Sequence, residues 1–551
     1  MKTSHETESV LDSVGAAEAP GDWSLRQLAR SFLALIDRER IAPETRAFAR
    51  EILRILAGES EITISPADPR FRDPAWTNHR VFRRIGQVYA AFCDFTDRIR
   101  MEDGPWTEQE RARLFAEVLT STLAPTNLLF TNPVALQAVR QSRGRSLLRG
   151  ARNFIHDVRH NGGFPSQVDR SKFKVGKNLA ATPGAVVFRN PMLEIIEYKP
   201  RTASVYEKPL LIVSPQINRY YFLDISPGRS FVEYAVSQGV HTFMVSWRNP
   251  APEQGHWNMD DYCESLLEAI DAVCEISGSK DLNTFGFCAG GITMFLLLAH
   301  MAASGDDRVN AACSAVTLLD LSGPALVGAL NSKPLLRSAA RRSRSRGVLK
   351  GRDLAKVFTW LRPNDLIWNY WVNNYLLGKS PPSFDILAWN ADGTNLPAAL
   401  HEDFIQIFRD NPLPRAGEFS VLGTPVDLSR IGIDTFLTGA IADHLTPWKG
   451  CYQTTQLLGG ESTFVLSSAG HIASLINPPP AERARYWTGG QPLADPEKWL
   501  ESASQQQGSW WEYWQDWISK RSGRKRRAPR RPGSAKHRPL APAPGTYVFQ
   551  Q

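Results

Sequence analysis

The spacing of apolar and polar positions changes along this chain, and the change divides it. Residues 24–36, 87–99 and 112–119 carry apolar side chains three and four apart, the spacing of amphipathic helices. Beyond Phe173 short apolar runs take over, at 193–198, 209–213, 242–247, 282–287, 315–319, 435–439 and 463–466. Such runs read as strands buried on both faces. Helical stretches separate them, notably 262–276 and 291–303. Strands alternating with helices predict an α/β fold, a mostly parallel sheet with helices on both faces. A helical N-terminal domain precedes it. More than a hundred residues separate the strands at 315–319 and 435–439. That stretch is aromatic-rich, as in Leu366-Ile367-Trp368-Asn369-Tyr370-Trp371, and predicts a helical cap insertion at about 322–425.

Length sharpens the division. A chain of 551 residues exceeds one compact core. The expected parts are a disordered, polar N-terminus at 1–20, a helical domain at 21–172 and a catalytic domain at 173–518. A basic, Pro-rich tail follows at 519–551. Ten Lys or Arg and no acid lie in 520–538, more than the chain's net +8. The basicity therefore belongs to the tail, which reads as a solvated segment rather than a folded nucleic-acid-binding face. A tryptophan stripe before it (Trp510, Trp511, Trp514, Trp517) reads as a helix face packed on a core. No apolar run approaches the ~18–20 residues that span a bilayer, and residues 1–20 lack a secretory pattern. The expected location is the cytoplasm.

None of the six cysteines (Cys93, Cys263, Cys274, Cys288, Cys313, Cys451) sits in a CxxC pair, so no zinc site is expected. Cys288 differs from the rest. Gly286-Phe287-Cys288-Ala289-Gly290-Gly291 has the G-x-nucleophile-x-G spacing between a predicted strand and a predicted helix. Flanking glycines permit the sharp turn that strains and exposes a nucleophile. A helix N-terminus behind it lowers a thiol pKa and offers N–H groups to an oxyanion. In this fold the order along the chain is nucleophile, acid, histidine. His471 follows the strand at 463–466 through a small-residue loop, and Asp443 follows the strand one earlier. Read singly, Asp443 is a turn residue or helix cap and His471 an exposed loop histidine; fold order makes them partners of Cys288. His444 is a rival base. His300 falls in the helix after the nucleophile and His401 in the cap.

The surrounding segments resemble the polyhydroxyalkanoate synthases, from about Pro74 to Trp517. The resemblance rests on Phe173-Lys174-Val175-Gly176-Lys177-Asn178-Leu179-Ala180, Pro215-Gln216-Ile217-Asn218-Arg219-Tyr220-Tyr221, and Val245-Ser246-Trp247-Arg248-Asn249-Pro250. Arg362-Pro363-Asn364-Asp365-Leu366-Ile367-Trp368, Trp389-Asn390-Ala391-Asp392-Gly393-Thr394-Asn395-Leu396-Pro397 and Asp443-His444-Leu445-Thr446-Pro447-Trp448 extend it. A lipase-like box with Cys in place of Ser is that family's hallmark. The resemblance implies an α/β-hydrolase fold and an acyltransferase that polymerises (R)-3-hydroxyacyl-CoA, with CoA as product and no cofactor. It implies that Cys288 carries the growing polyester as a thioester and that His471 is the general base. Asp443 would orient His471 or assist at the incoming hydroxyl. The Ala289 N–H would form half of the oxyanion hole, with Ile217 N–H for the rest. Trp389 lies in a segment the family associates with dimer contact. A homodimer of the single-subunit type at the polyester granule surface is implied. The competing readings are a cysteine-dependent thioesterase or depolymerase on the same fold, and a catalytically silent granule protein.

Overall fold

The computed structural model describes residues 33–34, 36–65, 67–100, 105–323, 333–489 and 493–551. The expected disorder at 1–20 and most of the helix expected at 24–36 lie outside them.

The chain forms two units. One gathers the residues up to Arg170 with Asp353–Leu387. Among the described residues before Arg170, its longer helices are α1 (Arg38–Ala57), α2 (Arg80–Arg98), α3 (Trp106–Thr122), α4 (Pro133–Gln141) and α5 (Arg145–His160). Asp37 caps α1, and Gly58 ends it at φ 87°. The expected helices at 87–99 and 112–119 are α2 and α3. The expected boundaries need correction, because residues 353–387 pack with these helices. Trp371 Nε1 donates to Asn127 O at 3.1 Å, and Tyr375 Oη to Asp157 Oδ2 at 2.8 Å. A Cβ on Gly150 would fall 1.8 Å from Tyr375 O, so α5 meets this segment backbone to backbone. The cap of the sequence reading is therefore split. Ser171–Arg352 and Ala388–Gln551 form the second unit.

The second unit is built on an 11-stranded sheet. Its strands in chain order are β1 (Gly184–Arg189), β2 (Leu193–Tyr198), β3 (Leu210–Val213), β4 (Thr242–Trp247), β5 (Leu282–Phe287) and β6 (Val309–Ala315). Then come β7 (Asp434–Ala440), β8 (Ser462–Ser467), β9 (Arg485–Thr488), β10 (Ser504–Gln507) and β11 (Ala541–Pro542). The spatial order is β10-β9-β8-β7-β6-β5-β3-β4-β2-β1-β11. The central strands β4, β3, β5, β6, β7 and β8 pair in parallel; the flanking strands pair antiparallel. Strands β2 to β5 are buried along their whole length, including the polar residues Glu194, Glu197 and Asn283. Helix α6 (Met259–Ser277) starts on an Asn258–Asp261 capping box and ends at Gly278, φ 65°. Helix α7 (Ala289–Ser304) starts one residue after Cys288.

Most expected strands match. The exception is 315–319, where the strand is β6, ending at Ala315. Val316 leaves the sheet at φ 48°, and its N–H donates to Thr438 O at 2.9 Å. Residues Val316, Leu318 and Leu319 are buried without being strand, so the apolar run marked burial only.

The tryptophan stripe lies on α10 (Trp510–Ser519), inside the core. Trp514 is fully buried, its ring centroid 4.7 Å from that of Phe231 and 5.8 Å from that of Phe285 on β5. Trp510 Nε1 donates to Ser474 O at 2.7 Å.

The tail is not a solvated segment. Residues Lys525–Arg527 pair with Ser204–Tyr206, and β11 adds to the edge of β1. The cause is polar. Glu194 and Glu197 on β2 are almost wholly buried and need donors. Gly533 N–H donates to Glu197 at 2.6 Å; Thr546 and Tyr547 N–H donate to Glu194 at 2.9 and 3.0 Å. Lys536 pairs with Glu275 at 2.6 Å, and Arg521 with Asp434 at 2.9 Å. Low apolar content hid an order built on backbone hydrogen bonds.

Truncating Trp514 to Ala removes a fully buried indole and should destabilise the protein by roughly 3–5 kcal/mol. Urea unfolding of the two proteins checks this; a midpoint unchanged within error would place α10 outside the core.

Candidate active site

The register of the parallel strands brings three chain segments to one edge. Phe287 pairs with Ala315 at the ends of β5 and β6, and Ala440 with Ser467 at the ends of β7 and β8. Cys288, Asp443 and His471 follow β5, β7 and β8, at the carboxyl ends where open α/β sheets hold their sites.

Cys288 has φ 49° and ψ −123°, a conformation non-glycine residues rarely adopt. The glycines around it are forced by space. A Cβ on Gly286 would lie 2.6 Å from Gly291 Cα, and one on Gly290 would lie 2.5 Å from Ser214 O. On Gly291 it would lie 2.1 Å from Thr317 Oγ1. The strain is held by hydrogen bonds: Cys288 N–H donates to Ala315 O at 3.0 Å, and Thr317 Oγ1 donates to Cys288 O at 3.2 Å.

Asp443 is buried and uses its two oxygens differently. Oδ1 accepts the N–H groups of Leu445 and Thr446 at 2.8 and 3.0 Å, an Asx-type turn. Oδ2 accepts from Thr446 Oγ1 and from His471 Nδ1, both at 2.6 Å. The turn reading of Asp443 and the partner reading therefore both hold, one per oxygen. Burial would raise this carboxyl, but the His471 charge and hydrogen bond, with Thr446, outweigh it and hold the pKa below its ordinary value.

His471 begins a five-residue helix, α9 (His471–Leu475), with its side chain 10% exposed. It is not an exposed loop residue. Burial pulls the imidazole down. The Asp443 charge and hydrogen bond, joined by a hydrogen bond with the Cys288 side chain, win and raise its pKa to about 10. Nδ1 is committed to Asp443, which leaves Nε2 for the thiol. A half-buried thiol, a histidine of raised basicity and its carboxylate partner form an arrangement suited to attack on a carbonyl.

A family model described as the Poly-beta-hydroxybutyrate polymerase (PhaC) N-terminus matches residues 67–235, and an alpha/beta hydrolase fold model matches 223–478. Poly(3-hydroxyalkanoate) polymerase 1 of Ectopseudomonas oleovorans is 45% identical, over 92% of this chain and 90% of that one. The polymerase subunit PhaC of Cupriavidus necator is 38% identical, over 89% of this chain and 84% of that one. The chain belongs to the poly(3-hydroxyalkanoate) polymerase family. It is an acyltransferase-type enzyme on an α/β-hydrolase fold with a helical N-terminal region.

The other expected residues are spread over several elements. Ala289 is the first residue of α7 and is buried. Ile217 lies in the loop after β3, the same loop whose Ser214 O crowds Gly290. Trp389 is 3% exposed and sits outside the Cys–Asp–His set. Its Nε1 donates to Arg219 O at 2.7 Å, so it buttresses the Ile217 loop from within its own chain. His444 is half-buried beside Asp443, but the ring on Asp443 Oδ2 is that of His471. His300 Nδ1 meets Thr424 Oγ1 at 2.8 Å, and His401 Nδ1 meets Ser343 Oγ at 3.0 Å; both are packed away from the set.

Sequence reasoning missed Thr446. Its hydroxyl donates to Asp443 Oδ2 and lies 3.2 Å from His471 Nδ1. The available signal was its place three residues after Asp443, where an Asx turn puts a residue back against the carboxylate.

In Asp443→Asn the main groups raising the His471 pKa are gone while burial remains. Its titration, followed by NMR of the ring, should fall from about 10 to below the ordinary 6.5. Because the folded His471 pKa is raised, its stabilisation is complete below about 6.5 and is lost as pH rises through about 10. Asp443, held low, contributes above 3.8 and loses that contribution in acid. The stability gap between the two proteins should therefore be widest between those limits and shrink toward pH 10. A gap independent of pH would refute the pairing.

Proposed function

We propose that this chain polymerises (R)-3-hydroxyacyl-CoA into polyhydroxyalkanoate with release of CoA, and that Cys288 carries the growing chain as a thioester. The observation that carries the reading is the strained Cys288 turn at the same sheet edge as a His471 whose Nδ1 is held by Asp443 at 2.6 Å. His471 takes the Cys288 proton, and the thiolate attacks the thioester carbonyl. The oxyanion is held by the Ala289 and Ile217 N–H groups. The C–S bond to CoA breaks, and CoA leaves with the proton from His471. The 3-hydroxyl of a second unit, deprotonated by His471, then attacks the acyl group on Cys288. An ester forms, and the thiol regains its proton. The chain, now on the second unit's CoA thioester, returns to Cys288 by the same exchange and releases CoA.

The chemistry favours a thiol. Thioester exchange is nearly isoenergetic, so the acyl-enzyme stays activated toward a hydroxyl; a serine ester would lose that activation. Asp443 serves His471 in this scheme, since its Oδ2 accepts from that ring and its Oδ1 from two backbone N–H groups. We extend the proposal to a cytoplasmic homodimer at the granule surface, needing no cofactor and binding no nucleic acid. Among the described residues no helix is long and apolar enough to cross a membrane. A dimer contact would not use the Trp389 ring, which is buried.

Incubation with 3-hydroxybutyryl-CoA should release CoA and yield polymer. Free 3-hydroxy acid in place of polymer would make this chain a hydrolase. Cys288→Ala should reduce CoA release to background, and His471→Gln should cost about 10²- to 10⁴-fold. His444→Gln should retain activity; a loss there with His471→Gln active would reassign the base.

A further inference from the structure

The C-terminal segment makes contacts that a mere sheet edge does not need. Arg219 follows Ile217 by two residues and is 4% exposed. Its Nη1 donates to Tyr547 O at 3.2 Å, and its Nη2 donates to Gln550 O. Gln550 O also accepts from Asn249 Nδ2 at 3.3 Å. The far side of the same loop is held by 389–394. Trp389 donates to Arg219 O at 2.7 Å, and Thr394 Oγ1 donates to Gln216 O at 2.7 Å. Tyr221 Oη donates to Asp392 Oδ2 at 2.6 Å, and Asn218 bridges Gly393. Gln216 Nε2 then ties the loop to α7 through Thr293 Oγ1 at 2.8 Å.

The segment is itself seated firmly. Tyr547 and Val548 are buried. Tyr547 Oη donates to Asn190 O at 2.7 Å, and the Arg189 and Arg248 guanidinium groups lie 5.7 and 5.5 Å from its ring centroid. Gly545, at φ 84°, turns the chain onto Glu194, where a Cβ would fall 2.3 Å from Oε2.

We infer that residues 546–550 form a clasp that positions the oxyanion-side loop through Arg219. Arg219 is a positioning residue: it touches two carbonyls of the clasp and, at 3.7 Å, the Asp392 carboxylate, not the reacting atoms. Its planar fork reaches two carbonyl acceptors from two nitrogens in a fixed geometry, which lysine's single nitrogen reproduces only in part. Without the clasp the loop keeps its contacts to 389–394 but loses its second wall, and the Ile217 N–H is no longer fixed against the start of α7. The inference rests on the proposed acyl transfer at Cys288.

The test separates the thiol from the oxyanion side. Arg219→Met, and separately the chain ended at Gly545, are compared with the intact protein in two reactions. One is CoA release from 3-hydroxybutyryl-CoA. The other is alkylation of Cys288 by iodoacetamide, read by mass spectrometry on the Cys288 peptide, which needs the thiol and His471 but no oxyanion hole. We expect CoA release to fall roughly 10- to 100-fold through kcat, as a small misplacement of a catalytic group does. The alkylation rate should stay unchanged, and Arg219→Lys should recover part of the loss. Full CoA release from either variant overturns the inference, as does an alkylation rate that falls in parallel. If one variant does not fold, the other carries the test, with Arg219→Lys as the third arm. If the intact protein releases no CoA, the acyl-transfer reading fails before any variant is compared.

Discussion

A strand that ends at Phe287 and a helix that begins at Ala289 leave one residue for the turn between them. The turn is possible only because neighbouring backbone comes closer than any side chain allows. Gly286 lies against Gly291, Gly290 against the carbonyls of Val213 and Ser214, and Gly291 against Thr317. That crowding holds Cys288 at positive φ, and the same crowding draws the loop after β3 across the start of α7. The proposed nucleophile and the proposed oxyanion donors are thus placed by one packing constraint. The strain at Cys288 costs of order 1–3 kcal/mol and persists because the sheet and helix on either side over-determine it.

The electrostatics of the site follow from burial. A histidine alone in this environment would lose basicity, as His401 does, falling to about 4. His471 goes the other way because Asp443 is within 2.6 Å and is itself kept charged by the Thr446 hydroxyl and two backbone N–H groups. Of the site's polar groups, only the His471 Nε2 side and the thiol are left to do chemistry. This commitment makes the set directional.

The second organising force lies on β2. Two glutamates inside a sheet need donors; Arg189 and His241 supply some, and the chain's last twenty residues supply the rest. A segment poor in apolar residues can order there because buried carboxylates and an open strand edge both select for backbone N–H groups. Once seated, the terminus reaches Arg219 and so reaches the loop beside the nucleophile.

The sequence by itself determined the parallel centre of the sheet and the three residues at its edge, but not the strands at 184–189, 485–488, 504–507 and 541–542. Strand period, the glycine spacing about Cys288 and the order of acid and histidine are local or one-dimensional properties, and each is set by backbone sterics that any fold of this class must satisfy. Tertiary structure decided the rest, because it depends on residues far apart in sequence. The apolar run at 315–319 gave burial but not strand, since Val316 turns away to meet Thr438. Residues 353–387 read as cap, yet Gly150 lets them meet α5. Trp389 carried no sign of its bond to Arg219, nor Thr446 of its place beside His471. The tail read as solvated because charge and proline content report what a segment cannot bury by itself. They say nothing of Glu194 and Glu197, more than three hundred residues away, whose need for donors only the folded sheet creates.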